Sequence, residues 1–297
     1  MGKTSTLRRQ LSCIAQGCTL SPLLFITLMT ALMQDAISSL SPEARNAYER
    51  SDLADLAYAD DTLLFGVSAR HVQELLHRVA SGAQHYGLEL HSDKFQLIQV
   101  RCGGKIHLND HSIDPAPSMT YLGSTLTCDG RADAELSRRI GIAKGDFRAL
   151  CRVWRNSSLT VQRKLHIYSA LVEAKLHYGL STIILTKAQR RKLDGFQCRC
   201  LRSILKIPAA FYSRVSNLEV LQKAGVESSS AKILKRQLLL LGRVFRAPLT
   251  NPLRSVSFVA STLEPLTNFY VRRVGRPRTE WVPTILKCAT HNCVLSS

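Results

Sequence analysis

The segment that most constrains this chain is LADLAYADDTLLFG, residues 53–66, in which two adjacent aspartates interrupt two short apolar runs. Such a pattern predicts a tight β-hairpin with Asp60 and Asp61 at the bend. Two carboxylates held together repel each other unless a cation or a proton neutralises them. Mg²⁺ suits such a pair, because it keeps some of its waters and accepts phosphate oxygens from a substrate. The alternative is an exposed acidic turn that binds nothing.

The charge of the chain is divided unevenly along its length. The net charge is +18 over 297 residues. Residues 1–130 carry 10 Lys/Arg against 13 Asp/Glu, a net of −3, whereas residues 131–297 carry 30 against 9, a net of +21. A polyanion is the natural partner of the second part, since each neutralised phosphate releases counterions. The alternative is solubility alone, for which a smaller net charge is enough.

Long helices are predicted from Asp133 onward, so a domain boundary is expected near Asp129-Gly130. Apolar residues recur at three- and four-residue steps from Leu136 to Trp154, and a cationic stripe lies about a third of a turn away. A second helix follows, and a third begins at a capping box, Thr186 with Gln189. These stripes predict nucleic-acid binding through phosphate contacts, and a solvated charged face is the alternative for any one residue. The cations concerned are Lys144, Arg148, Arg152, Arg155, Arg190, Arg191 and Arg199.

The N-terminal part is predicted to contain two helices and several strands. The first helix has Ser21 as N-cap and Pro22 at its first position, runs to about Ser39, and is apolar nearly all round, which predicts burial. Its apolar run is too short to span a bilayer, so no membrane partner is expected. An amphipathic helix is predicted over residues 69–86, a strand–turn–strand over residues 88–100 with Lys94 just after the turn, and further strands over residues 107–127.

The nine cysteines follow no repeating spacing. Cys198 and Cys200 are too close for an ordinary zinc hook, and residues 288–293 lack a fourth ligand at finger-like spacing. We therefore expect reduced, mostly buried cysteines in an intracellular protein.

Several segments resemble one known family. Tyr58-Ala59-Asp60-Asp61 resembles the YxDD signature of reverse transcriptases. QGCTLSPLLF at residues 16–25, GLEL at residues 87–90 with Lys94, YLGS at residues 121–124 and the basic helices down to Ile207 resemble the non-LTR (LINE-type) retrotransposon branch in order and spacing. The resemblance implies an α+β fold: a partial polymerase palm of antiparallel sheet and helices over residues 1–130, a helical thumb over residues 131–210, and a basic C-terminal extension over residues 211–297.

The resemblance implies an RNA-directed DNA polymerase whose partners are an RNA template, a DNA primer and deoxynucleotide triphosphates. It implies that Asp60 and Asp61 bind Mg²⁺ or Mn²⁺ and that Lys94 is the general acid for the leaving pyrophosphate. In the family, further positions contact the incoming nucleotide and template or form the primer grip. Those positions here are Gln16, Gly17, Tyr58 and Ala59 for the nucleotide and template, and Tyr121, Leu122 and Gly123 for the primer grip.

Family members usually use a third aspartate, from an upstream strand, and no Asp or Glu occurs in residues 1–15. The expectation is therefore that this polypeptide alone has little or no polymerase activity. The alternatives are a non-catalytic nucleic-acid-binding remnant and a basic α+β protein with neither role. An intracellular, nuclear location is expected. The basic stretch from Arg272 to Arg278 is interpreted as an RNA contact, a nuclear-entry signal or a solvated linker.

Overall fold

The structure, a computed structural model, describes residues 17–100, 102–108, 111–259, 262–266 and 280–294. The chain divides into two compact units, Met1–Gly130 and Arg131–Ser297. The elements of the N-terminal unit are, in chain order, α1 (Ser21–Ser38), α2 (Pro42–Glu49), β1 (Leu53–Tyr58), β2 (Asp61–Gly66), α3 (Ala69–His85), β3 (Ile106–Leu108), β4 (His111–Ile113), β5 (Ser118–Tyr121) and β6 (Ser124–Thr127).

The strands of this unit form three antiparallel hairpins, β1–β2, β3–β4 and β5–β6, within the described ranges. Helix α3 lies against β2 and supplies the buried Leu75 and Val79 to a core shared with Leu53 of β1. Leu64 of β2 packs against this core and also against the smaller cluster under β3. The predicted α+β class is confirmed, with the antiparallel strands arranged as separate hairpins.

Helix α1 differs from its prediction in two respects. Ser21 is its first residue and Leu20 is the N-cap, so the predicted cap at Ser21 is wrong by one position. Burial is limited to the C-terminal half, where Tyr86 of α3 donates a hydrogen bond to Asp35 at 2.6 Å. In the other half, Leu23 is 62% exposed and Leu24 is 53% exposed. The prediction of a buried helix is wrong in this half. Apolar side chains show that a helix can be buried, but burial also requires another element to pack against them.

Helix α1 is the one described helix that is long and apolar enough to cross a membrane by length and composition, and 17% of the relevant window is buried. The sequence argument, that the apolar run of this helix is too short to cross a bilayer, therefore does not exclude a membrane-spanning helix. A soluble core helix passes the same criteria, so this property alone decides nothing.

The predicted strand–turn–strand over residues 88–100 is wrong. This segment contains a 3₁₀ turn, Ser92–Lys94, and one isolated parallel bridge between Leu97 and Pro115. Lys94 is the last residue of the turn rather than the residue after it. Beyond this bridge, the flanking residues pair with no strand in the described ranges, and β3 and β4 pair with each other.

The elements of the C-terminal unit are helices within its described residues, and one isolated bridge joins Phe258 to Pro265. Its elements are, in chain order, α4 (Asp133–Ala149), α5 (Cys151–Arg155), α6 (Val161–Ile167), a π-helical segment (Tyr168–Glu173), α7 (Ala174–His177), α8 (Lys187–Leu205), α9 (Ala210–Ser213), α10 (Asn217–Ala224), α11 (Ser229–Arg246), α12 (Pro252–Ser255) and α13 (Trp281–Val294). The predicted capping box at Thr186 and Gln189 is confirmed in both of its hydrogen bonds.

One core runs through most of this unit. It contains Leu136 of α4, Leu193 of α8, Val220 of α10 and Ile233 of α11. The predicted boundary at residue 210 therefore falls inside this core. The division into thumb and extension stays a prediction, and the stretch from Arg272 to Arg278 lies outside the described residues.

The helical pattern from residue 133 to residue 155 is interrupted at Leu150, between α4 and α5. The indole of Trp154 donates a hydrogen bond to the main-chain carbonyl of Phe147 at 2.7 Å. In a continuous α-helix this carbonyl accepts from residue 151. The rings of Phe147 and Trp154 also stack, with centroids 5.0 Å apart.

The seven cysteines whose side chains the structure describes are free thiols, and the reduced state of the protein stays a prediction. The prediction that most of them are buried is wrong, because two are buried and three are exposed. The buried pair is Cys198 and Cys200, the intermediate ones are Cys128 and Cys288, and the exposed ones are Cys18, Cys102 and Cys151.

Candidate active site at the β1–β2 hairpin

The two adjacent aspartates lie at the tip of the β1–β2 hairpin. Tyr58 pairs with Asp61 across the ladder, so the loop consists of Ala59 and Asp60. Ala59 has a φ of 53°, the positive value that the first loop position of a type II′ or I′ turn requires. The left-handed conformation costs a non-glycine residue roughly 1–2 kcal/mol. The prediction of both acids in the bend is therefore corrected: Asp60 is a loop residue and Asp61 is the first residue of β2.

The hairpin is anchored at its base and exposed at its tip. Leu53, at the base, is fully buried, whereas Leu56 is 52% exposed and Tyr58 is 65% exposed. The side chains of Asp60 and Asp61 are both exposed. The outer half of the hairpin therefore presents two carboxylates and two large side chains to solvent rather than to the core.

A third carboxylate of this hairpin has a structural role. Asp55 of β1 accepts a hydrogen bond from the phenol of Tyr48 at 2.6 Å. Burial raises the pKa of Tyr48, and its hydrogen bond to the Asp55 carboxylate raises this pKa further. The interaction joins α2 to β1, so Asp55 is engaged in holding the hairpin.

One of the predicted primer-grip residues contacts the strand that leads to the acidic tip. The phenol of Tyr121, at the end of β5, donates a hydrogen bond to the main-chain carbonyl of Leu56 at 3.1 Å. Partial burial raises the pKa of Tyr121, and the negative charge of Asp61 adds to this effect. The structure therefore joins Tyr121 to the strand that leads to Asp61, although no signal in the sequence pairs these two segments.

The turn between β5 and β6 is formed by Leu122 and Gly123. Their φ values are 46° and 70°. Positive φ at both loop positions is the pattern of a type I′ turn, for which the second residue, glycine, is well suited. The predicted primer-grip segment is thus a tight hairpin tip, and its Leu122 adopts a conformation that is uncommon for an aliphatic side chain.

The remaining predicted site residues are placed as follows. Gly17 has a φ of 92°, a conformation that favours glycine, and a Cβ built there has no neighbour within 4 Å. Gln16 lies outside the described residues. Lys94 is exposed, and no hydrogen bond or ion pair links it to Asp60 or Asp61 in the part of the chain that the structure describes.

The carboxylate pair is the candidate metal-binding feature of this hairpin. No group of three or more His, Cys, Asp and Glu side chains arranged for a metal occurs within the described ranges. Mg²⁺ is often bound by one or two carboxylates together with water and substrate phosphates. Asp60 and Asp61, exposed on one tip, fit that mode.

The seven predicted nucleic-acid-binding cations are all exposed. Four lie on α4 and α5 and three lie on α8. Among the residues described, none of the seven takes part in an ion pair. They are Lys144, Arg148, Arg152, Arg155, Arg190, Arg191 and Arg199.

Other cations of the same unit serve the fold. Arg139 is paired with Glu135 at 2.6 Å, and its guanidinium lies 4.4 Å from the ring centroid of Tyr178. Buried Lys164 donates to the main-chain carbonyl of Trp154 at 3.0 Å. The structure thus separates internal cations from exposed ones that are available to a polyanion.

Comparison with known proteins gives one finding. No curated protein matches the chain, and no solved structure matches it. A protein-family model, described as reverse transcriptase (RNA-dependent DNA polymerase), matches residues 1–126. This segment contains the acidic tip and the turn at Leu122 and Gly123, and it ends before α4. Over residues 1–126, the chain is therefore similar to the reverse transcriptase (RNA-dependent DNA polymerase) family.

Proposed function

We propose that this protein is the RNA-directed DNA polymerase of a non-LTR retrotransposon, acting in the nucleus on an RNA template, a DNA primer and deoxynucleotide triphosphates. One observation carries the proposal most: in a segment similar to reverse transcriptases, Asp60 and Asp61 are exposed at a tight turn, and Tyr121 donates a hydrogen bond to the strand that precedes them. An exposed acidic turn that binds nothing does not explain why the β5–β6 hairpin is hydrogen-bonded to β1, the strand that precedes the two acids.

In this proposal Asp60 and Asp61 hold Mg²⁺ or Mn²⁺ through their exposed carboxylates. A bound ion of this kind stabilises the attacking and leaving oxygens of an in-line phosphoryl displacement. Asp55 does not share this task, because it accepts the hydrogen bond from Tyr48.

Three further groups act around the carboxylates. Lys94 carries the proton that the leaving pyrophosphate oxygen receives, a role its exposed ammonium group allows. Gly17, with its left-handed backbone and open surroundings, allows a nucleotide to approach the main chain. The turn at Leu122 and Gly123 positions the primer end against the acidic tip.

The nucleic acid is held by the exposed cations of α4, α5 and α8. Contacts to phosphates give affinity and register without reading sequence. Such contacts suit a polymerase, which must translocate along any template. The absence of ion-pair partners for these cations within the described ranges supports this role.

A second candidate function is nucleic-acid binding without catalysis. It is favoured by the same exposed cations and by the finding that the acidic tip offers two carboxylates, with no third ligand grouped beside them in the described part of the chain.

Primer extension together with binding separates the two candidates. The whole chain is incubated with a primer annealed to an RNA template, one labelled deoxynucleotide and Mg²⁺ or Mn²⁺, and affinity for the same hybrid is measured by fluorescence anisotropy. Incorporation that requires the divalent ion supports the polymerase. Tight, salt-sensitive binding without incorporation supports the second candidate, and the absence of both contradicts both.

A further inference from the structure

Two adjacent aromatic side chains of the C-terminal unit are exposed on a short, well-held segment. Phe211 and Tyr212 lie in α9 and are 75% and 78% exposed, more than any other described aromatic residue. Ile207 before them and Val215 after them are partly buried against the core of the unit. The segment is therefore anchored at both ends and carries its aromatic residues in solvent between the anchors.

The buried guanidinium of Arg202 holds this segment from below. It donates to the main-chain carbonyls of Pro208 at 3.1 Å and Val215 at 2.6 Å. It also donates to the side chains of Ser213 at 3.4 Å and Asn217 at 3.3 Å. One side chain of α8 thereby binds the residues on both sides of the aromatic pair. Because the segment is already ordered, little conformational entropy is lost when a ligand binds to the rings.

The two rings form a defined pair. Their centroids are 5.3 Å apart and their planes are inclined by 84°, an edge-to-face arrangement. The guanidinium of Arg214 lies 5.7 Å from the centroid of Phe211. Aromatic faces and guanidinium planes are the surfaces on which unpaired nucleobases stack.

The charges around Phe211 and Tyr212 favour nucleic acid over protein as the binding partner. Lys206 and Arg214 flank the segment, both are exposed, and both adopt the left-handed conformation where a helix ends. The nearest acid along the chain, Glu219, accepts a hydrogen bond from Ser216. The unit as a whole carries a net charge of +21. Protein interfaces tend to exclude charge from their centre, whereas single-stranded nucleic acid needs rings and cations together.

We propose that Phe211 and Tyr212, with Arg214, form a stacking platform for unpaired nucleotides of single-stranded RNA or DNA. The inference rests on the proposed nucleic-acid binding of this unit and adds a site that phosphate contacts do not provide. The single-stranded part of a template, beyond the duplex with the primer, offers the unpaired bases that such a platform binds. Each stacked base raises affinity by about 5- to 160-fold.

The test compares Phe211→Ala/Tyr212→Ala with Leu239→Ala, which removes another exposed side chain, from α11 of the same unit. The probes are a 12-nucleotide single-stranded RNA containing 2-aminopurine and a blunt RNA–DNA hybrid, and anisotropy gives the affinity for each. We expect the double variant to bind the single strand at least tenfold more weakly and to lose most of the fluorescence change of the 2-aminopurine. We expect Tyr212→Phe and Leu239→Ala to behave as wild type.

The blunt hybrid is the internal control, because its bases are already stacked. Unchanged affinity of the double variant for the single strand, with intact hybrid binding, overturns the platform alone. Failure of the wild-type chain to bind either probe overturns both the platform and the proposed nucleic-acid binding. Thermal unfolding of each variant establishes that the exposed substitutions leave the fold intact.

Discussion

The phenol of Tyr121 donates a hydrogen bond to the main-chain carbonyl of Leu56, over 3.1 Å, and so joins β5 to the strand that leads into the acidic turn. Leu56 precedes Asp60 by four positions, whereas Tyr121 follows it by more than sixty. The contact therefore ties the residue before the turn at Leu122 and Gly123 to the strand that ends at the two carboxylates. The proposed polymerase needs a link of this kind, because its primer end must meet the two carboxylates.

Replacing Tyr121 with phenylalanine removes this hydrogen bond and keeps the ring. Because the bond is partly solvated, we expect the free energy of unfolding to fall by about 1 kcal/mol or less. Primer extension is expected to slow by more than this stability loss explains, since the second hairpin is no longer fixed. Chemical denaturation and single-nucleotide incorporation measure the two effects. Equal loss of extension in Tyr48→Phe, which loosens α2 instead, contradicts a specific role for Tyr121.

The positive φ of Ala59 predicts opposite effects of two substitutions. Ala59→Gly relieves the left-handed strain, and Ala59→Val increases it because a β-branched side chain fits that conformation poorly. We expect the glycine variant to gain roughly 0.5–1 kcal/mol of stability, and the valine variant to lose at least as much. Urea denaturation of both variants measures the difference. A glycine variant less stable than wild type contradicts the turn conformation described here.

His177 predicts a pH dependence of the C-terminal unit. Its side chain is 2% exposed, and both ring nitrogens lack a hydrogen-bond partner among the described residues. Burial lowers its pKa to about 4, Glu173 opposes the shift, and Arg236 and Lys232 add to it. Above pH 6.5, the ordinary value, the ring is neutral in both the folded and unfolded states. Below that value the unfolded chain takes up a proton first, so stability is lost as the pH falls from about 6.5 towards 4.

At pH 5 this loss amounts to roughly 2 kcal/mol. Chemical unfolding of the C-terminal unit at pH 7.5 and pH 5 measures it. His177→Gln is expected to remove this part of the difference, whatever its effect on stability at pH 7.5, and exposed His166→Gln is the matched control. A difference between the two pH values that persists undiminished in His177→Gln contradicts the prediction.

The exposed cations predict the salt dependence of binding to an RNA–DNA hybrid. Arg148→Ala/Arg152→Ala removes one cation from α4 and one from α5, and neither forms an ion pair with a described residue. We expect weaker binding at low salt and a slope of log affinity against log salt that is smaller by about 1–2. Lys223→Ala, an exposed cation on α10, is the control. An unchanged slope in the double variant shows that these arginines do not contact phosphates.

The sequence predicts the helices and strands of this protein better than it predicts the tertiary contacts that they make. Periodicity predicts α3 and α8 because their apolar faces meet a core, and a polar pair between apolar runs predicts the β1–β2 hairpin. Periodicity does not predict the break at Leu150. At this break the indole of Trp154 donates a hydrogen bond to the main-chain carbonyl of Phe147, seven residues earlier. The exposed half of α1 escapes prediction because the pattern contains no information on its neighbours.

The candidate site shows the same division. Asp60 and Asp61 are readable from their motif, whereas the positive φ of Ala59 is not, since alanine is no turn-forming residue. The contact between Tyr121 and Leu56 is a long-range one, and no local pattern encodes it. Phe211 and Tyr212 are adjacent in the sequence after Pro208, but only the structure shows that both rings are exposed.

The most direct test of the account is the rate of divalent-ion-dependent nucleotide incorporation by the whole chain and by Asp60→Asn and Asp61→Asn. Each variant keeps the size of the side chain and removes one negative charge from the tip. Asp114→Asn, at an exposed carboxylate after β4, is the control. The account predicts slow, ion-dependent incorporation by the whole chain, in line with the low activity expected from the sequence, and a further fall of at least about 100-fold in each tip variant but not in the control. Incorporation that the tip variants retain at the wild-type rate contradicts the assignment of Asp60 and Asp61 as the catalytic carboxylates.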